Sequence, residues 1–154
     1  MSIRRILIFI FTLFVFTLNS FAREEVKQSD IVLNEGFYYF KEEPYTGKSV
    51  EGMNRYFYKD GKADGRWITF YKNGNIKSIV NWSDGKFNGK YILYNNDGKK
   101  ILETYYVDSQ ENGPYYVYYD NGILRIKGEY ISGNPTGKWE YYDSKGKLTN
   151  VSEF

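Results

Sequence analysis

Hydrophobic residues change their pattern once along the chain, and the change divides it. From Ile6 to Phe16 the residues are apolar apart from Thr12. Beyond residue 22 no window carries a helical apolar period. Short β-branched and aromatic segments take over, such as Trp67-Ile68-Thr69-Phe70-Tyr71 and Ile101 to Val107, the composition of strands. Between them stand Asn73-Gly74, Asp97-Gly98, Asn121-Gly122 and the weaker Lys145-Gly146. Asn-Gly and Asp-Gly tolerate positive φ at both central positions, so these dipeptides predict type I′ hairpin turns. A looser polar connection, for example Ser83 to Asn88, is expected to join one hairpin to the next.

The segments recur. Gly65, Gly89, Gly113 and Gly137 follow one another at a step of 24, and Gly74, Gly98, Gly122 and Gly146 keep the same step. Two residues after the first glycine comes Trp67, Tyr91, Tyr115 or Trp139, and five after it Phe70, Tyr94, Tyr118 or Tyr142. A third aromatic column holds Trp82, Tyr106, Tyr130 and Phe154. Five columns over four copies define a tandem array. The predicted fold is all-β, with tandem hairpins in an elongated, single-layer antiparallel sheet. Its units run over about 45–64, 65–88, 89–112, 113–136 and 137–154, after an N-terminal segment, 23–44. Gly47 lies only 18 residues before Gly65, so the first unit is read as a shortened hairpin. A lead-in strand is expected from Asn34 to Phe40.

Composition narrows the function. Arg4 and Arg5, the apolar run and Ser20-Phe21-Ala22 before charged Arg23 read as a signal peptide over 1–22, cleaved near Ala22, which predicts a secreted or periplasmic protein. The apolar stretch falls short of the roughly 20 residues of a bilayer-spanning helix, so no stable membrane insertion is expected after cleavage. Without Arg4 and Arg5 the 21 cations of the full chain fall level with its 19 carboxylates. A neutral chain with no basic stripe argues against nucleic acid. The absence of cysteine and histidine removes thiol nucleophiles, His-dependent triads and cysteine zinc sites. The carboxylates are spread over the hairpins without a recognisable pair, so neither an enzyme, a metal site nor a cofactor is expected.

With these columns the sequence resembles the bacterial variant of the MORN repeat, and in particular the YwqK-type antitoxins. Pro44-Tyr45-Thr46-Gly47, Gly65 to Gly74, Gly113 to Gly122 and Gly137 to Gly146 carry the likeness over residues 35–154. The resemblance implies stacked hairpins that bind other proteins, associated with an antitoxin or an adhesin. The invariant aromatics are expected to form the core, because packing between identical neighbours repeats its residues. Aromatics that vary between copies, Tyr71, Tyr116 and Tyr119, are the candidate partner-binding residues. Open terminal edges are expected to allow a homodimer. A cell-wall or glycan-binding aromatic repeat is the alternative.

Overall fold

The computed structural model describes residues 25–154. The expected signal peptide, with its cleavage near Ala22, lies outside the described residues. The described chain opens with β1 (Val26–Lys27), a single 3-10 turn (Gln28–Asp30), β2 (Val32–Asn34), β3 (Phe37–Phe40) and β4 (Glu43–Pro44). Hairpins follow: β5 (Gly47–Glu51) with β6 (Asn54–Lys59), then, after the short β7 (Lys62–Ala63), β8 (Gly65–Phe70) with β9 (Ile76–Ser83). Next come β10 (Lys86–Tyr94) with β11 (Lys100–Val107) and the short β12 (Gln110–Glu111). The last two hairpins are β13 (Gly113–Tyr118) with β14 (Leu124–Ile131), and β15 (Asn134–Tyr142) with β16 (Leu148–Glu153).

The chain is all-β, and the hairpins join edge to edge in one long sheet. Its strand order is β1-β5-β6-β8-β9-β10-β11-β13-β14-β15-β16, with β7 and β12 as short flanking pieces. The pairing is antiparallel except where β1 runs parallel to β5. A second, small sheet, β2-β3-β4, stands beside it. The expected lead-in strand Asn34 to Phe40 is broken at Glu35-Gly36, both at positive φ (48° and 84°), and folds back as a hairpin.

The turn chemistry differs from the expectation. At Asn73-Gly74 only the glycine is at positive φ (90°); Gly74 N–H donates to Tyr71 C=O, and Tyr71 N–H donates to Asn75 C=O. That is a three-residue loop, a type I turn closed by a glycine bulge, and the register slips between Thr69 and Phe70 to accommodate it. The same bonds recur at Gly98, Gly122 and Gly146. Type I′ turns lie instead in the connections predicted to be loose: Asp60-Gly61 (49°, 75°), Asp84-Gly85 (51°, 80°) and Ser132-Gly133 (50°, 80°). Asp-Gly suits this left-handed pair, so β9 runs tightly into β10 with Ser83 opposite Lys86.

A single layer has little interior. Among the described residues only Tyr58, Ala63, Ile92 and Trp139 form a buried hydrophobic core, with Ser49, Glu103 and Thr104 buried beside them. Side chains alternate between the faces of a strand, so the cross-strand pairs define two faces of very different composition.

Candidate functional site

One face is aromatic. Trp67 pairs with Val80, Val80 with Tyr91, and Tyr91 with Thr104. Further along, Tyr115 pairs with Gly128 and Trp139 with Ser152. Large rings on the first strand of each hairpin therefore alternate with small residues on the second. The small column Val80, Thr104, Gly128 and Ser152 keeps the 24-residue step. No shared chemistry marks this column in the sequence, because its members have in common only that they are small beside the rings. Thr104 is completely buried, and a Cβ on Gly128 would lie 2.3 Å from Cδ2 of Trp139.

The rings touch in series. Tyr38 meets Tyr58 at 4.8 Å between centroids, Tyr58 meets Trp67 at 5.3 Å, Trp67 meets Trp82 at 5.0 Å and Trp82 meets Phe87 at 4.2 Å. Phe87 continues to Tyr106 at 5.4 Å. A second run links Tyr115 to Tyr130 at 5.2 Å, Tyr130 to Trp139 at 5.1 Å and Trp139 to Phe154 at 5.7 Å. Tilted and edge-on rings at these distances stabilise cross-strand pairs. Most stay half-exposed because a single sheet offers them only their neighbours; Trp139 is buried, whereas Phe154 is 59 % exposed. Burial pushes the Tyr58 hydroxyl up to about 12, and burial, followed by the charge of Glu111, does the same to Tyr106.

The other face keeps the invariant column Phe70, Tyr94, Tyr118 and Tyr142 near the loops, but its centre changes from copy to copy. Its central row, read through successive pairings, runs Val50, Arg55, Ile68, Ile79, Ile92, Glu103, Tyr116, Lys127, Glu140, Val151. Glu103 accepts from Lys90 Nζ at 2.8 Å and from Lys100 Nζ at 2.7 Å. Glu140 is flanked by Lys138 at 2.6 Å and Lys127 at 3.4 Å. Burial raises the Glu103 carboxyl, but the two lysines outweigh it and hold it below the usual range. Hydrogen bonds from Lys138 and Tyr142 bring Glu140 down to about 2.

The three candidate tyrosines separate. Tyr116 lies in the row on the variable face, between Glu103 and Lys127. Tyr71 and Tyr119 stand at the turns, where their hydroxyls each donate at 2.8 Å to backbone carbonyls of the next hairpin, Tyr94 and Tyr142. Asn73 and Asn121 side chains reach the following turns likewise, at Asn96 and Ser144. These side chains tie neighbouring loops together.

Most repeat columns now have physical roles: glycines at loops and bulges, the rings of the Trp67 and Trp82 columns in a half-buried ladder, small residues beneath them, while the Phe70 column stands on the opposite face. The model of the MORN repeat variant family matches residues 63–84 and 111–132. Two units of the chain are thus similar to MORN repeats. The two matched MORN segments begin at the same column, Ala63 and Glu111, and the unmatched hairpin between them, β10–β11, has the same loop and pairings. No curated protein matches the chain. MORN repeats are commonly protein- or membrane-binding modules.

Proposed function

We propose that this chain is an exported, non-catalytic module that binds another protein through its variable face, associated with an antitoxin or an adhesin. One observation carries the reading. The aromatic face repeats the same kinds of residue in every unit, as self-packing demands, whereas the opposite row passes from Ile68–Ile79 through Glu103–Tyr116 to Lys127–Glu140. A surface released from the repeat, with an aromatic among charged groups, has the character of a recognition patch.

Titration of the purified chain with the product of the neighbouring gene tests this. Binding that Tyr116→Arg weakens tenfold or more supports it; undiminished binding after that change sinks it. A glycan reading draws on the half-exposed rings of the aromatic face. Retention on purified peptidoglycan, competed by soluble glycan and lost on Trp82→Ala, would favour that alternative. Pairing of two chains through β16, which among the described residues has a strand neighbour on one side only, is an accompanying proposal, and light scattering that shows only monomer at high concentration counts against it.

A further inference from the structure

Positive charge gathers at one place on the sheet. On the variable face at β5, β6 and β8, a depression is lined by Lys48, Arg55, Phe57, Lys59, Arg66 and Ile68, with Asp64 its sole carboxylate. Lys48 stands opposite Phe57 and Arg55 opposite Ile68. Gly65 makes the hollow, because a Cβ there would lie 3.3 Å from the Cβ of Phe57. Phe57 is 37 % exposed at the centre.

Two of the four cations, Lys59 and Arg66, are uncommitted among the described residues. Lys48 pairs with Glu25 at 2.7 Å, and Arg55 donates to the carbonyls of Gly52 and Asn54. Neither Lys59 nor Arg66 forms an ion pair among the described residues. Other units carry their own counter-charges at these positions. One repeat step from Ile79, the column of Arg55 holds Glu103, and the column of Phe57 ends in Glu129 and Glu153. Glu103 binds Lys90, the counterpart of Arg66. Around Phe57, by contrast, Arg55, Lys59 and Arg66 have no carboxylate partner of this kind among the described residues.

We infer that this hollow docks an extended acidic segment of a partner protein, with an apolar side chain over Phe57 and carboxylates on Arg55 and Lys59. The inference rests on the protein-binding reading above and names the partner's chemistry. Arg55, Phe57 and Lys59 occupy alternate positions of β6 on one face, at a step of roughly 6.6 Å. An extended peptide beside them presents its own alternate side chains at the same step. The matching pattern is therefore acidic, any, apolar, any, acidic. Complementary charge gives such a site register and a fast approach, and a desolvated aromatic gives it hold.

The probes are three synthetic peptides, with cores Glu-Ser-Leu-Ser-Glu, its permutation Glu-Glu-Leu-Ser-Ser and the charge-reversed Lys-Ser-Leu-Ser-Lys, together with phosphatidylserine vesicles. Each is titrated into the whole chain and read by amide NMR shifts and calorimetry. The alternating acidic peptide is expected to shift the amides of Phe57, Gly65 and Arg66, and to bind at least tenfold more tightly than the other two peptides. Lys59→Glu with Arg66→Glu, two exposed positions, should abolish the shifts while circular dichroism stays unchanged, and added salt should weaken binding.

Equal binding of all three peptides, shifts elsewhere, or no effect of the double charge reversal overturns the site. Vesicle binding lost in that variant, with no peptide binding, also overturns it in favour of a lipid surface. If the neighbouring protein still binds in a manner sensitive to Tyr116→Arg while no peptide binds here, the basic hollow fails alone. If that protein does not bind and the peptides do, the broader reading fails in its choice of partner and surface, and the hollow stands.

Discussion

The two faces of the sheet share every strand yet answer to different constraints. On the aromatic face each ring rests on a small residue of the neighbouring strand, so a change in one unit is felt by the next. On the variable face the same positions hold isoleucine, glutamate, tyrosine or lysine, and the backbone pairing continues undisturbed. Repetition is densest on the face where units pack on one another, and on the other face it is kept to the column Phe70, Tyr94, Tyr118 and Tyr142 beside the loops. Variation marks the face that is free to be used.

The sharpest way to break this contrast is to fill the aromatic face. Gly128→Val places carbon where the Trp139 ring lies, 2.3 Å from its Cδ2, and is expected to cost about 3 kcal/mol in a urea titration, at the upper end for overpacking. A loss below about 1 kcal/mol would show that the ring ladder is loose, since overpacked sites rarely absorb a side chain so easily.

The faces should also fail at opposite ends of the pH scale. The Tyr58 hydroxyl, raised from 10 to about 12 in the folded chain, contributes stability that is complete below pH 10 and lost as pH rises through about 12. With Tyr58 only 4 % exposed, this loss is on the order of 2 kcal/mol. Phenolate absorbance followed together with circular dichroism checks it, and Tyr58→Phe should remove its share of the alkaline loss. On the variable face Glu103 and Glu140 are held below their ordinary value of 4.5. Their contribution is present above that value and lost as pH falls, for Glu140 through about 2. Denaturant midpoints should decline on that side, and Glu103→Gln with Glu140→Gln should flatten the decline.

A smaller effect has the opposite sign. Thr104 Oγ1 is buried without a hydrogen-bond partner among the described residues, so Thr104→Val, which keeps the shape and removes the hydroxyl, should raise stability by about 1 kcal/mol. Destabilisation on thermal melting would mean that the hydroxyl is satisfied. Least of all, Tyr116→Ala on the variable face should move the melting temperature little, with less than about 0.5 kcal/mol at stake as for most surface changes. Its effect should appear in binding.

The all-β hairpin array was legible because identical neighbours demand identical residues, and Gly65, Trp67 and their counterparts stand in plain columns. The turns were not. Asn-Gly suits both a two-residue turn and a three-residue loop with a bulge, and only the pairing of Phe70 with Ile76 decides between them. Nor was the hollow around Phe57 visible. Its cations come from three strands, and the net charge averages them away. The aromatic columns were expected to be a core, but a single layer leaves most of them half-open. Past Tyr58 and Trp67, which Tyr38 of the small sheet helps to cover, lateral stacking alone limits how far a ring can be covered.

Both long margins of the sheet are stitched from one unit to the next. At one margin Tyr71 and Asn73 reach the loop 23 residues on, as Tyr119 and Asn121 do. At the other, Gly85, Ser109 and Gly133 amides donate to carbonyls 22 residues back. A tract of whole units gained or lost by unequal recombination would leave every remaining stitch with a partner, whereas a frame-preserving insertion of a few residues would unpick both seams. Lineages of this protein should therefore differ in length by steps of one unit.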